Sequence, residues 1–269
     1  MQNKTILITG CQRSGTTLLN LILDSHPEIH GIDEADFKLE LLQSYLNDSK
    51  FHPYVSFKLP NFSAAVRTFE VLPNLKVFWS IRDYRDVISS MINLTLKVSM
   101  DSSKTLSWVV HPNGAPKEIK NCITSLQHNL DDDLMHLIEK YKIIINNRSV
   151  LENDREQQVF IGALCWRLKQ ELLSLYDSNK VDYSIIYYEN LIRKPKEELS
   201  NLLNRLNLKW HSDMLNHHKL HTGISIGKTD NTKPIDSSNA GKWKAFLTPN
   251  EITIAEKICA TIAYSFGYQ

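Results

Sequence analysis

The chain has 269 residues, 42% of them hydrophobic and 23% charged, which is ample for a buried core and ordinary for a protein folded in water. A net charge of +1 gives no global attraction to nucleic acid or to an acidic membrane surface. No stretch approaches the ~20 apolar residues of a spanning helix, and the scattered Cys11, Cys122, Cys165 and Cys259 form no C-x-x-C pair of the kind that holds zinc.

In chain order, Met-Gln-Asn-Lys leads straight into Ile6-Leu7-Ile8, too short an apolar run for a signal peptide. Together with the unpaired cysteines this predicts free thiols in a reducing compartment, and hence a cytoplasmic protein. Thr5 to Thr9 is a β-branched run ending at Gly10. Thr16 to Ser25 follows with helical spacing of Leu18, Leu19, Ile22 and Leu23. Strand, glycine-bearing loop and helix form the opening unit of a parallel α/β sheet. Val77 to Ile81 is a second buried strand, and a helix is expected over Val87 to Leu96. Asp101 to Asn153 reads as a polar, partly helical insertion, with Asp131-Asp132-Asp133 opening one of its helices. It is either a lid on the substrate side or a solvent-facing decoration. Phe160 to Tyr176 is expected as an amphipathic helix, Tyr183 to Tyr188 as a third strand and Lys196 to Leu206 as a leucine-faced helix after Pro195. With no repeat or low-complexity tract, residues 1–269 are expected as one domain.

Chemistry concentrates first in Gly10-Cys11-Gln12-Arg13-Ser14-Gly15-Thr16-Thr17. A strand-to-helix loop of this kind aims backbone N–H groups and the positive end of the helix dipole at one point, a ready anion site. Gly15 allows close approach, the Ser14, Thr16 and Thr17 hydroxyls add donors, and Arg13 adds a forked charge. Gly10 and Gly15 have the spacing of a Walker A loop, but Thr16 stands where its lysine belongs. An ordinary kinase or ATPase is therefore disfavoured.

These residues resemble a known family. Arg13 to Leu19, with Leu23 to Ile29, is similar to the 5′-phosphosulfate loop and helix of sulfotransferases that use 3′-phosphoadenosine 5′-phosphosulfate (PAPS), and most of all to tyrosylprotein sulfotransferases and their bacterial relatives. Ser80 to Ser90 resembles the family's 3′-phosphate motif, which implies that Arg82 and Ser90 grip that phosphate. Tyr188-Glu-Asn-Leu resembles the segment whose tyrosine lies by the adenine. Ser225 and Lys233 fall in a stretch similar to the loop that covers the nucleotide, at a shorter spacing. Gly241-Lys-Trp and the closing Phe266-Gly267-Tyr268 also resemble family segments. The tyrosylprotein enzymes carry a second basic residue soon after the phosphate serine, whereas Met91 to Thr95 carries no charge here.

The resemblance implies a P-loop-like central parallel sheet flanked by helices, and it does not extend over the helical insertion read at 101–153. It implies sulfuryl transfer from PAPS to an acceptor hydroxyl of tyrosine, a sugar or a small alcohol or phenol, without a metal. Glu34 is implied as the general base, with Asp33 as its competitor, and Lys58 as the cation that neutralises the leaving oxygen, aided by Ser225. Sulfuryl transfer makes demands like those of phosphoryl transfer, in-line positioning and positive electrostatics. No His, Cys or carboxylate cluster suggests a metal, because the adjacent His217 and His218 are expected to point apart. Homodimerisation is implied by the family alone. A nucleotide phosphotransferase using the same loop, and a nucleotide-binding protein without catalysis, are the alternatives.

Overall fold

The computed structural model describes residues 3–48, 53–66, 72, 74–99, 102–225 and 227–269. Its strands are β1 (Lys4–Gly10), β2 (Ile29–Ile32), β3 (Tyr54–Lys58), β4 (Lys76–Ile81), β5 (Thr95–Lys97), β6 (Thr105–Ser107) and β7 (Tyr183–Tyr187). Its helices are α1 (Thr16–Asp24), α2 (Leu42–Asn47), α3 (Tyr84–Asn93), α4 (Ala115–Leu126), α5 (Asp132–Asn146), α6 (Arg148–Leu151), α7 (Arg155–Glu171), α8 (Leu173–Ser178), α9 (Tyr188–Arg193), α10 (Pro195–Leu206) and α11 (Pro249–Ser265). The chain groups into two compact units, Met1–Arg82 with Tyr176–Ala240, and Asp83–Leu175 with Gly241–Gln269.

The first unit holds an all-parallel sheet in the order β2-β3-β1-β4-β7. β1 is central, so both its faces are covered and every residue after Lys4 is buried. This is why Ile6-Leu7-Ile8 reads as a continuous apolar run and not as an alternation. Leu19, Ile22 and Leu23 of α1 pack on Ile6, Ile8 and Tyr54, and the same core takes Leu199, Leu202, Leu203 and Leu206 of α10. Burying each such leucine contributes about 2 kcal/mol. The Tyr54 hydroxyl donates to the Leu206 carbonyl at 2.6 Å, tying the end of α10 to β3. On the other sheet face Trp79 meets Tyr176 edge to face at 5.1 Å. Two of the five strands, β2 and β3, were not anticipated.

The second unit is built on α7, which packs against α3, α4 and α11. Sequence predicts an amphipathic helix over Phe160 to Tyr176, but α7 is buried on every side from Gln158 to Gln170 and breaks at Leu172. Two of its charges, Arg167 and Lys169, are internal: Lys169 donates to Glu118 at 2.5 Å, and Arg167 to Asp133 at 2.6 Å. α3 starts earlier and ends sooner than expected. Asp83 caps it by accepting from the Arg85 amide. Its last turn is capped by the hairpin β5-β6, where the Ser107 hydroxyl donates to Ile92 O and the Trp108 amide to Leu94 O. The 101–153 segment is not merely decoration, because Val109, Ile119, Cys122 and Leu126 lie in the core. Asp101, its expected first residue, lies outside the described residues. Asp131 caps α5 by accepting from the Leu134 amide. The four cysteines are buried as thiols. Among the described residues no helix is long and apolar enough to cross a membrane.

Candidate active site

Because all five strands of the first unit run parallel, their carboxyl ends share one edge, where open α/β sheets bind ligands. The loop 11–15 leaves β1 there, Glu34 lies two residues beyond β2, and Lys58 is the last residue of β3. Arg82 follows β4, and Tyr188 follows β7 as the first residue of α9.

The loop is shaped by its glycines. Gly10 has φ of 121°, and a Cβ there would stand 2.4 Å from the Ser80 carbonyl oxygen. Gly15, at the start of α1, has φ of 89°, and a Cβ there would strike the Tyr188 ring at 2.2 Å. Only glycine is at ease at such angles. Arg13 also takes a left-handed φ, of 71°. The Ser80 hydroxyl donates to the Ser14 carbonyl at 2.5 Å, fixing the loop from behind. No side chain caps α1, so its first-turn amides keep their donors for an anion. The Ser14 hydroxyl is fully buried without a partner. A buried donor of this kind calls for an acceptor.

Two guanidiniums meet at this loop. Arg82 donates to the Arg13 carbonyl at 3.2 Å and to the Asn239 carbonyl at 2.6 Å, and lies 4.4 Å over the Tyr188 ring. Arg13 donates to the Gly227 carbonyl at 2.8 Å. Burial, and then the charge of Arg82, pull the Arg13 pKa down, with Glu34 and Tyr188 opposing. A bound anion would relieve both effects.

The Lys58 ammonium, 1% exposed, bonds Asp33 at 2.9 Å and Glu34 at 3.0 Å, and reaches the Thr17 hydroxyl at 3.4 Å. Thus the expected base and the expected cation touch each other beside the anion loop. Arg13, Ser14, Gly15, Thr16, Thr17, Glu34, Lys58, Arg82 and Tyr188 all lie in this one unit. Tyr188 stands with its ring against Gly15 and under Arg82.

The remaining expected residues differ in setting, and the hairpin that holds Ser225 touches the anion loop, since its Gly227 carbonyl accepts from Arg13. Ser225 belongs to a small hairpin in which Ile224 pairs with Asp230, and its hydroxyl donates to Asn231 at 2.8 Å. Lys233 is exposed, two residues beyond Asn231. Ser90 is half-buried on α3, in the second unit. In that unit the buried Asp86 accepts from the amides of Gly241 and Trp243 at 2.7 and 2.9 Å, while Arg85 pairs with Asp83 and stacks over Trp243 at 4.3 Å. His217 and His218 do not point apart as expected. Their rings meet edge to face at 5.7 Å, because they sit on a kinked 3-10 turn and not on a regular element. Among the described residues no group of three or more His, Cys, Asp or Glu could hold a metal. Gly227 and Asn239 escape the sequence reading because they act through backbone carbonyls, which leave no side-chain signal.

The sulfotransferase domain family matches residues 3–267. A Caenorhabditis briggsae protein named for protein-tyrosine sulfotransferase activity is 24% identical over 248 residues, covering 80% of this chain and 69% of its own length. The sulfotransferase domain of the Synechococcus PCC 7002 olefin synthase aligns with 100% of this chain and 97% of its own, at a TM-score of 0.56 and 15% identity. The sulfotransferase domain from the curacin biosynthetic pathway aligns with 100% of this chain and 99% of its own, at a TM-score of 0.57 and 15% identity.

Proposed function

Because the chain belongs to the sulfotransferase domain family and is a sulfuryl-transferring enzyme, we propose that its donor is PAPS and that Glu34 and Lys58 carry the transfer to an acceptor hydroxyl. The observation that carries this reading is the contact of Lys58 with Glu34 at 3.0 Å, beside an anion loop whose Ser14 hydroxyl is buried and unpartnered.

The loop suits the phosphosulfate end of the donor. Arg13, the hydroxyls of Ser14, Thr16 and Thr17, and the first-turn amides of α1 would hold its anionic oxygens, and Gly15 lets them approach. Arg82 is the cation for the 3′-phosphate, with Ser90 assigned from its sequence motif alone. Tyr188 would line the nucleotide between Gly15 and Arg82. Lys233 enters as a residue of the covering loop, again by resemblance. The donor brings its own activated leaving group, so the protein has to align and neutralise.

Glu34 accepts the acceptor's proton as the acceptor oxygen bonds to sulfur. Lys58 donates to the bridging oxygen as its bond to sulfur breaks. To do so Lys58 exchanges one of its two carboxylate bonds, and retaining Asp33 keeps it charged and placed. Ser225 reaches the same oxygen only by giving up its bond to Asn231. A phenolic acceptor has a pKa of ~10, so its proton leaves with the bond change and not before. Tyrosine, sugar and small alcohol or phenol acceptors all fit this chemistry. Four buried thiols suit a cytoplasmic site of action. A homodimer enters the reading through the resemblance alone.

Thermal-shift titration with adenosine 3′,5′-bisphosphate beside 5′-AMP and ATP tests the donor assignment. A ligand at a hundred times its Kd stabilises the native state by about 2.7 kcal/mol. Stabilisation by the bisphosphate well above the other two is expected. An equal response to all three, or a preference for ATP, would overturn it.

A further inference from the structure

The anion loop is bracketed on both sides of Arg13, its one charged residue. Arg13 takes a left-handed φ of 71°, a conformation that a Cβ disfavours. A residue stays in such a conformation only where its surroundings hold it there. On one side, the Ser80 hydroxyl of β4 donates to the Ser14 carbonyl at 2.5 Å. On the other, Gln12 Nε2 donates to Asn61 Oδ1 at 2.8 Å. β3 and β4 are the two neighbours of β1, so the loop leaving β1 is tied to both.

Asn61 is itself on an anchored turn. It is the middle residue of the 3-10 turn Pro60–Phe62, just past β3. The residue before that turn is bonded twice to β1. The Leu59 amide donates to the Ile8 carbonyl at 2.9 Å, and the Thr9 hydroxyl donates to the Leu59 carbonyl at 3.1 Å. Gln12 therefore fastens the loop to a fixed point.

Stability alone does not account for a glutamine here. Gln12 is 9% exposed, and its Oε1 is buried with no partner among the described residues. An orphaned buried acceptor is destabilising, and an apolar side chain of similar shape would avoid it. Asn61 is exposed, so the bond between the two contributes little to folding. What the bond does fix is the residue next to Arg13.

We infer that Gln12 is a positioning residue for donor binding: through Asn61 it holds Arg13 turned to the 5′ end of the donor. This rests on the proposed PAPS reading and adds a residue to the machinery that selects that end. The 3′ end depends on it less. Arg82 does donate to the Arg13 carbonyl, but it is also held by the Asn239 carbonyl and stacks on Tyr188.

The test compares two ligands that differ only at the 5′ position, adenosine 3′,5′-bisphosphate and adenosine 3′-monophosphate. Both are titrated by calorimetry into the full chain, into Gln12→Leu, into Asn61→Ala and into the double variant, with chemical denaturation in parallel. Gln12→Leu is expected to weaken the bisphosphate by about tenfold or more, the loss of one hydrogen bond to a charged group. The monophosphate should change by less than about threefold, and the denaturation midpoint should stay level or rise. Asn61→Ala changes a surface residue outside the loop and should give the same ligand split. The double variant should be no weaker than either single, because one bond is lost in all three. A lower midpoint with unchanged bisphosphate affinity would make Gln12 merely structural. Equal weakening of both ligands, or additive losses in the double variant, would also overturn the inference. If the parent binds the bisphosphate and the variants bind it equally well, this inference fails and the donor assignment stands. If the parent does not bind it, both fail.

Discussion

Lys58 and Glu34 meet at 3.0 Å between the ends of two neighbouring strands, and the lysine side chain is 1% exposed. A buried ammonium this close to two carboxylates is a structural element as much as a catalytic one. Lys58→Met leaves Asp33 and Glu34 facing each other without a cation. The expected cost is about 3 kcal/mol in stability, read by chemical denaturation, together with a fall in kcat of ~10²–10³ from lost charge stabilisation. A variant as stable and as fast as the parent would remove Lys58 from both roles.

Asp33 shares the lysine with Glu34 but is assigned only to holding it. Asp33→Asn keeps an acceptor for the ammonium and should leave kcat within about tenfold of the parent in steady-state assays. If the loss instead reached the ~10²–10⁴ expected for a general base, that role would pass from Glu34 to Asp33.

Gly15 is the narrowest point of the anion loop. Its φ of 89°, and the Tyr188 ring only 2.2 Å from where a Cβ would stand, leave no room for alanine. Gly15→Ala should lower stability by ~1–3 kcal/mol from backbone strain alone. It should also weaken adenosine 3′,5′-bisphosphate binding by pushing Tyr188 aside. Calorimetric titration of the variant provides the check, and unchanged affinity would show that Tyr188 is not packed there for the ligand.

His217 gives a pH dependence of defined sign. Its ring is buried, and burial first, then the nearby His218 and His221, lower its pKa to about 4. The folded value lies below the unfolded one, ~6.5, so the unfolded chain takes up the proton first. Stability is fully present above pH ~6.5 and falls as pH drops towards 4, by up to about 3 kcal/mol. Denaturation midpoints of the parent and of His217→Gln across that window should diverge, with the variant the flatter of the two. Parallel curves would assign the acid sensitivity to other groups.

The anion loop was legible because its chemistry lies within eight consecutive residues, Gly10 to Thr17, and in the order strand, loop, helix. The pairing of Glu34 with Lys58 was not legible from spacing. It depends on β2 lying beside β3 in register from Ile29 and Tyr54, and β2 is a four-residue strand with a glycine in it. Family resemblance named both residues without saying that they touch. Charged residues misdirected the reading of α7. Arg167 and Lys169 imitate a solvent face, but each is buried on a carboxylate, Asp133 and Glu118. A signal for α11 was present. Thr248 and Glu251 form a reciprocal capping box at its start, the S/T-x-x-E spacing that announces a helix. Gly227 and Asn239, which hold Arg13 and Arg82, could be found only in three dimensions.

The central claim is that Glu34 takes the proton while the sulfuryl group leaves a PAPS donor. Single-turnover transfer from sulfur-labelled PAPS to 2-naphthol, run on the parent protein and on Glu34→Gln with donor affinity measured in parallel, tests it most directly. Labelled aryl sulfate from the parent, equal donor affinity in both proteins and a rate lower by ~10²–10⁴ in the variant are expected. Equal rates from the two proteins, or a variant whose slower transfer is matched by lost donor affinity, would contradict it.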